Sequence, residues 1–280
     1  MRFGITYENN YYLASWFVTW FSTSLFSAIA VAALFLLLTS LWQFSRPVSY
    51  LTSLSYGLAT TILPYSGIAH HDVIAISYVI IAFYLIEKNS QRYCNQNKVL
   101  SLISGFLLGL VIFTSMLHAL VVLMMLIYIG FSRNWNCILF SGIGFLIGIF
   151  PLTVYNTYYL GSPWQFYIAE GFQDTIPTTL NNMGVILHHL NYYFGLGWIS
   201  VFLYMPIIVL GAVGIFCMGP KFKKYRILFA FIVIVHCLYI VNIATFGHCQ
   251  YGPRYLIPII PFMMLGLPFL IEWARLVKSR

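Results

Sequence analysis

The stretch VLSLISGFLLGLVIFTSMLHALVVLMMLIYIGF, residues 99–131, decides the fold class of this chain. It contains no Asp, Glu, Lys or Arg side chain. A membrane helix needs about 17–25 apolar residues, so one helix of this length is far too long to cross a bilayer. The stretch therefore predicts a tight hairpin of two membrane helices, with the break near residues 114–118.

The composition of the whole chain agrees with this interpretation. Of the 280 residues, 61% are apolar and 7% are charged, whereas soluble domains have about 45–50% apolar and about 25% charged residues. The net charge of +8 superficially suggests a nucleic-acid partner. Most basic residues, however, lie in short loops between apolar runs, as membrane topology requires. We expect an all-α, multi-pass membrane protein and no nucleic acid.

Apolar runs of spanning length predict about nine transmembrane helices in a single domain, residues 1–280. The weakest run is 48–66, which is rich in Ser and Thr. The last run contains three prolines and should therefore be kinked. The predicted spans are 16–41, 48–66, 70–86, 99–115, 116–131, 137–155, 198–219, 227–246 and 255–272.

The positions of the basic residues predict the orientation. With the N-terminus outside and the C-terminus in the cytoplasm, only Arg2 and Arg254 of the 14 basic residues face outward. This is a strong positive-inside bias. The long loop 156–197 then lies outside, and its second half, from Met183 to Phe194, is an amphipathic sequence able to lie along the membrane surface. The inward-facing residues are Arg46, Lys88, Arg92, Lys98, Arg133, Lys221, Lys223, Lys224, Arg226, Arg275, Lys278 and Arg280.

Glycines with helical spacing occur in two neighbouring runs. Gly105 and Gly109 are four residues apart, and so are Gly144 and Gly148. Small residues at this spacing permit two membrane helices to approach closely. The pattern predicts packing and carries no information about activity.

The segment from Phe246 to Pro261 is the candidate anion site. Gly252 frees the backbone, and Pro253 suits the first position of a helix. Arg254 would then lie in the first turn, where free N–H groups, the helix dipole and a guanidinium converge on a phosphate or carboxylate. The alternative is an arginine that extends to the membrane surface.

Other titratable side chains gather on the predicted outer side. Asp72 is a candidate general base, or a metal ligand together with a histidine, and a polar cap at the interface is the alternative. Adjacent residues point apart on a helix, which argues against a metal at either His-His pair. Glu170 and Asp174 would share a helical face, but a solvated loop is the favoured interpretation. The outer set is His70, His71, Asp72, Glu170, Asp174, His188, His189, His248 and Arg254.

Two histidines lie alone in apolar runs. For His118 and His236 we expect structural roles with hydrogen bonds. Neither belongs to a recognisable catalytic motif. The chain also lacks a phosphate-cradling glycine-rich loop, a G-x-S-x-G sequence and an H-E-x-x-H sequence, so the common soluble-enzyme motifs are excluded.

Four segments, in order, resemble one family. YGPRYLIPIIPF (251–262) is similar to the GPRYLLPxLPF signature of polyprenyl-phosphate-dependent membrane glycosyltransferases of GT-C fold, such as protein mannosyltransferases and the aminoarabinose transferases of lipid A. SYGLATTILPYS (55–66), GFLLGLVIFTS (105–115) and YNTYYLGSP (155–163) resemble further motifs of that family. The resemblance covers roughly residues 11–270. It implies a bacterial inner-membrane protein.

The resemblance implies transfer of a sugar from a polyprenyl-phosphate carrier to an acceptor at the outer face of the membrane. It assigns Arg254 to the lipid phosphate, with Tyr251, Tyr255, His248, His70 and His71 in the substrate site. No cofactor is implied, although a divalent metal is an open alternative.

The resemblance also implies a missing part. In the family the catalytic carboxylate lies in the first outer loop, after an N-terminal span. This chain begins at what resembles a later span, so we expect a truncated member, inactive alone unless Asp72 or Glu8 replaces the base.

Two alternatives to an enzyme remain open. One is a non-catalytic membrane subunit or remnant. The other is a transporter of a lipid-linked anion, against which the lack of internal repeats and of charges at mid-depth argues.

Overall fold

The computed structural model describes residues 7–90, 97–131, 134–163, 183–195, 200–242 and 252–278. Across these ranges the chain forms helices, and no strand occurs in them. The prediction of an all-α fold is confirmed. Two π-helical segments, Thr19–Ser24 and Leu37–Leu41, lie among the α-helices near the N-terminus.

The helices follow one another with short connections in the described ranges. Three short 3-10 turns, Met116–His118, Pro220–Phe222 and Arg254–Ile259, precede helices. The α-helices are α1 Tyr7–Val18, α2 Leu25–Leu36, α3 Arg46–Leu58, α4 Ile62–Ser66, α5 His71–Ser90, α6 Lys98–Thr114, α7 Ala119–Gly130, α8 Trp135–Leu160, α9 Met183–Phe194, α10 Val201–Tyr204, α11 Pro206–Phe216, α12 Lys223–Val241, α13 Ile260–Met264 and α14 Leu267–Lys278.

Four helical segments are long and apolar enough to cross a membrane, and a bent pair would make a fifth. Three other predicted spans overlap the shorter apolar helices α6, α7 and α11. The predicted span 48–66 is divided between the short helices α3 and α4. The chain is therefore a helical protein with several helices that are long and apolar enough to span a membrane, and the count of nine stays a prediction. The four are Tyr11–Leu41, His71–Ser90, Trp135–Leu160 and Pro220–Val241.

The apolar stretch 99–131 is divided where the sequence predicts it. Helix α6 ends at Thr114, and Ser115 is extended, with φ −156° and ψ 116°. The 3-10 turn Met116–His118 then leads into α7. One extended residue is enough to separate the two helices, so the prediction of two helices is confirmed.

The glycine pairs bring α6 and α8 into backbone contact. A Cβ atom added to Gly105 would lie 1.9 Å from the carbonyl oxygen of Ser141, and one added to Gly148 would lie 2.2 Å from that of Phe106. Such distances leave no room for a side chain, so only glycine permits this separation of the helices. The packing prediction is confirmed.

Helix α5 lies at the centre of the bundle. Within its apolar window 61% of the residues are buried, against 22–33% in the other three long segments. It contacts α2, α6, α7 and the 3-10 turn that begins at Arg254. Asp72 in its first turn and Glu87 near its end are thereby both placed inside the protein.

The final helical unit is bent, as its prolines predict. The segments Arg254–Met264 and Leu267–Lys278 meet at 45°. At the bend, Gly266 approaches α11, where a Cβ atom on it would lie 2.1 Å from the carbonyl oxygen of Gly211. The close approach of these backbones packs the bend against α11.

Candidate functional site

Asp72 lies at the centre of the candidate site. Asp72 is only 1% exposed. Burial of a carboxylate without partners costs free energy. The Oγ hydroxyl of Ser115 donates to its Oδ1 at 2.7 Å, and Nε of Arg254 lies 3.7 Å from its Oδ2. Three segments far apart in the sequence therefore meet at one carboxylate.

Three histidine rings surround the same carboxylate. His71 Nε2 lies 3.4 Å from Oδ1, His70 Nδ1 lies 3.8 Å from Oδ2 and His118 Nδ1 lies 4.0 Å from Oδ1. The expectation that the rings of the adjacent histidines point apart is wrong. His70 precedes the first residue of α5, so its ring stacks on that of His71, with 4.8 Å between the centroids.

Arg254 directs its other nitrogens towards two of the predicted site residues. Its Nη1 lies 3.3 Å from Nε2 of His70, and Nη2 donates to the hydroxyl of Tyr255 at 3.4 Å. On the other side of the ring, the backbone N–H of Asp72 donates to Nδ1 of His70 at 3.3 Å. The ring of His70 thus lies between the guanidinium of Arg254 and the first turn of α5, and accepting a hydrogen bond requires its neutral form.

The pKa of His70 agrees with this neutral form. His70 precedes the span His71–Ser90. Burial of its ring, reinforced by the charges of His71 and Arg254 and opposed by Asp72, lowers the pKa to about 4 from an ordinary value of 6.5. An imidazole with that pKa is neutral at pH 7 and free to accept a hydrogen bond from Arg254.

The backbone around Arg254 differs from the prediction in one respect. Gly252 has φ +73°, as a free backbone there predicts, and Arg254 is the first residue of its helical turn. The turn is a 3-10 helix, however, in which the N–H of Arg254 donates to Gly252 and that of Leu256 to Pro253. These two N–H groups are already used, which leaves the guanidinium as the predicted anion-binding group.

A second histidine supports Tyr255. His236 Nε2 lies 2.7 Å from the carbonyl oxygen of Tyr255, which confirms the structural role predicted for that histidine. For His118 the hydrogen-bonded structural role stays a prediction. This histidine is completely buried, and neither of its ring nitrogens has a hydrogen-bond partner in the described part of the chain.

Two residues of the site did not emerge from the sequence. Ser115 and Tyr65, whose ring centroid lies 4.5 Å from that of His70, carry no signal of their own. For Ser115 there was an indirect signal, because a polar residue at the break of an apolar run has to satisfy its hydroxyl locally. His118 lies at the same break and shared that signal.

Several predicted residues are not brought into the site by what the structure describes. His248, Tyr251, Glu170 and Asp174 fall outside the described residues. Glu8 belongs to α1, and the structure describes its backbone only. The segment 183–194 forms α9, which confirms a helix there, and its residue His189 is 1% exposed.

The site presents the guanidinium of Arg254, whose positive charge is partly balanced by Asp72. In the described ranges no group of three or more His, Cys, Asp or Glu residues is arranged to hold a metal ion. Arg254 is 20% exposed in its side chain, whereas Asp72 is 2% exposed. The arginine is therefore the charged group that an incoming anion can reach.

Comparisons with known proteins do not assign this chain to a family. They found no matching protein-family model, no similar curated protein and no similar solved structure. The family resemblance accordingly rests on the four sequence segments alone.

Proposed function

We propose that this chain is a glycosyltransferase-like protein of the bacterial inner membrane, which binds a polyprenyl-phosphate-linked sugar at the outer face. In this proposal the chain forms nine spans, with its N-terminus outside and its C-terminus in the cytoplasm. The distribution of the basic residues supports that orientation, because only Arg2 and Arg254 would then face outward.

The observation that carries the proposal is the state of Arg254. Its guanidinium is 20% exposed, lies against the ring of Tyr255 at 5.0 Å, and is oriented by Asp72 and His70. A guanidinium held in a fixed orientation loses little freedom when it binds a phosphate through two hydrogen bonds. A lipid phosphate is thus the ligand that this arrangement favours.

In this proposal Asp72 positions Arg254. Oδ1 of the carboxylate is occupied by Ser115, and the side chain is 2% exposed. A group so enclosed is well suited to orient a neighbouring cation and poorly suited to meet an acceptor. The catalytic roles suggested for Asp72 and Glu8 stay predictions, as does a bound divalent metal.

One observation favours a second function, that of a non-catalytic membrane subunit or remnant. If Asp72 only orients Arg254, the site binds the carrier without a base of its own in the described ranges. Transfer of sugar by the purified chain alone would reject this alternative. A transporter of a lipid-linked anion has no comparable observation in its favour.

The test measures both binding and transfer with a radiolabelled polyprenyl-phosphate sugar and the purified protein. The double variant Arg254→Gln/Asp72→Asn removes both charges together, so neither is left alone in the interior. We expect it to fold and to lose binding of the labelled lipid by at least tenfold. Lys278→Gln, in the last turn of α14, is the control and should bind normally. Unchanged binding by the double variant would reject the assignment of Arg254.

A further inference from the structure

A cavity of about 1400 Å³ opens at the other end of α5. Asp72 and Glu87 are 15 residues apart on this helix, which separates them by about 22 Å at a rise of about 1.5 Å per residue. The cavity is thus distinct from the Arg254 site. Its walls are formed by the last turns of α5 and α7 and the first turns of α8 and α12.

The cavity has a polar mouth and an apolar wall. Lys221 and Lys224 are at the mouth, and both are exposed. The wall continues along α12 with Ile227 and Phe231, which are 58% and 52% exposed. A ligand that fits must therefore carry an anionic group at one end and a long apolar body at the other.

Lys224 is held in place at the mouth by aromatic rings. Its Nζ lies 4.4 Å from the ring centroid of Tyr225 and 5.6 Å from that of Tyr128. These cation–π contacts restrict the side chain and keep its ammonium group at the cavity. The positive charge of Lys224 therefore lies at the cavity itself.

Among the described lining residues, Glu87 is the one carboxylate, and it does not compete for these lysines. Glu87 is 2% exposed. The hydroxyl of Tyr128 donates to its Oε1 at 2.6 Å, and the hydroxyl of Tyr225 donates to its Oε2. Both oxygens are already occupied, so the charge offered to a ligand at the mouth is that of Lys221 and Lys224.

We propose that this cavity binds an anionic phospholipid, with the phosphate at Lys221 and Lys224 and an acyl chain along Ile227 and Phe231. Basic side chains at the end of membrane helices favour anionic lipid headgroups by electrostatic attraction, and the apolar wall favours the chain. The proposal needs the membrane assignment only and is independent of the ligand of Arg254.

The experiment measures binding of spin-labelled phosphatidylglycerol and of spin-labelled phosphatidylcholine to the full chain in nanodiscs. The double variant Lys221→Ala/Lys224→Ala should weaken phosphatidylglycerol binding by roughly tenfold or more, since each lysine near a lipid surface contributes about a fivefold effect. The control Lys223→Ala/Lys278→Ala removes the same charge from residues that do not line the cavity.

A second pair of variants tests the apolar wall without changing the charge. Ile227→Trp fills the cavity and should reduce binding by at least fivefold. Ile234→Trp, two turns further along α12 and equally exposed at 56%, is outside the cavity and should leave binding unchanged.

Three results would overturn the proposal. These are equal losses in the two lysine pairs, equal binding of the two lipids by the unaltered chain, or normal phosphatidylglycerol binding by Ile227→Trp. Loss of sugar-lipid binding at Arg254 would not affect any of these measurements, so failure of the proposed function and failure of this proposal can be told apart.

Discussion

Arg254 and Asp72 form a pair across the bundle, with Nε of the arginine 3.7 Å from Oδ2 of the carboxylate. The contact joins the last helical unit to the first turn of α5. Charges enclosed in this way are stabilising only as a pair, because removal of one leaves the other without compensation. This relationship determines what substitutions at either residue will do.

We expect Arg254→Gln or Asp72→Asn alone to lower the free energy of unfolding by about 3–5 kcal/mol. The double variant should lose less than the sum, with a coupling of about 1–3 kcal/mol. Denaturant unfolding in detergent micelles measures all four proteins. If the two effects are simply additive, the residues do not act as a pair.

The protonation of His70 predicts a dependence of stability on pH. The pKa of His70 is about 4 in the folded chain, against 6.5 for an ordinary histidine. Between these pH values the unfolded chain therefore binds more protons than the folded chain. Stability therefore rises with pH from about 4 to 6.5 and is retained above that range. The melting temperature of the unaltered chain should fall as the pH is lowered through this window.

His70→Gln is the comparison for this prediction, because it keeps an acceptor for Arg254 and does not titrate. Its melting temperature should depend less on pH than that of the unaltered chain. Asp72, His71 and Arg254 face His70, so the difference between the two pH profiles contains the titration of His70 and its effect on these neighbours. Identical pH profiles would show that His70 is not responsible.

The close packing of α6 on α8 predicts a large difference between two neighbouring glycines. A Cβ atom on Gly144 would lie 2.0 Å from the carbonyl oxygen of Leu102, whereas one on Gly142 meets no atom within 4 Å. Gly144→Ala should cost about 1–3 kcal/mol or more through overpacking. Gly142→Ala should be neutral or stabilising by up to about 1 kcal/mol. Thermal unfolding of the two variants side by side is the measurement, and equal melting temperatures would contradict the packing.

The buried carboxylate of Glu87 predicts a cost for losing one of its donors. Tyr225→Phe removes the hydroxyl that donates to Oε2 and should lower the free energy of unfolding by about 1–3 kcal/mol. Tyr239→Phe on the same helix is the control, because its side chain is 41% exposed. Chemical denaturation of the two variants compares them directly. A loss of equal size in both would mean that the Glu87 contact is not responsible.

Much of the helical architecture could be predicted from local features of the sequence. Apolar runs mark helices, the polar break at Ser115 ends one, and the proline-rich segment after Gly252 is bent. Glycine spacing gave the contact of α6 with α8. Each of these signals lies within one or two neighbouring helices.

The arrangement of the site could not be obtained in the same way. Asp72, Ser115 and Arg254 belong to three segments, and a single sequence does not show which sides of three helices face one another. The adjacent histidines were misjudged for a related reason, since the start of α5 at His71 places His70 outside the helix. An error of one residue at a helix end was enough to reverse the directions of two rings.

Helix α5 has a buried acidic side chain near each end. Ser115 and Arg254 hold Asp72 in its first turn. Tyr128 and Tyr225 hold Glu87 near its end. Any sliding or turning of this helix along its axis would break one of these sets of contacts. The helix therefore serves as a rigid spacer of constant length between the two faces of the bundle. Ligands at opposite membrane surfaces would meet one common element that cannot adjust to either of them independently.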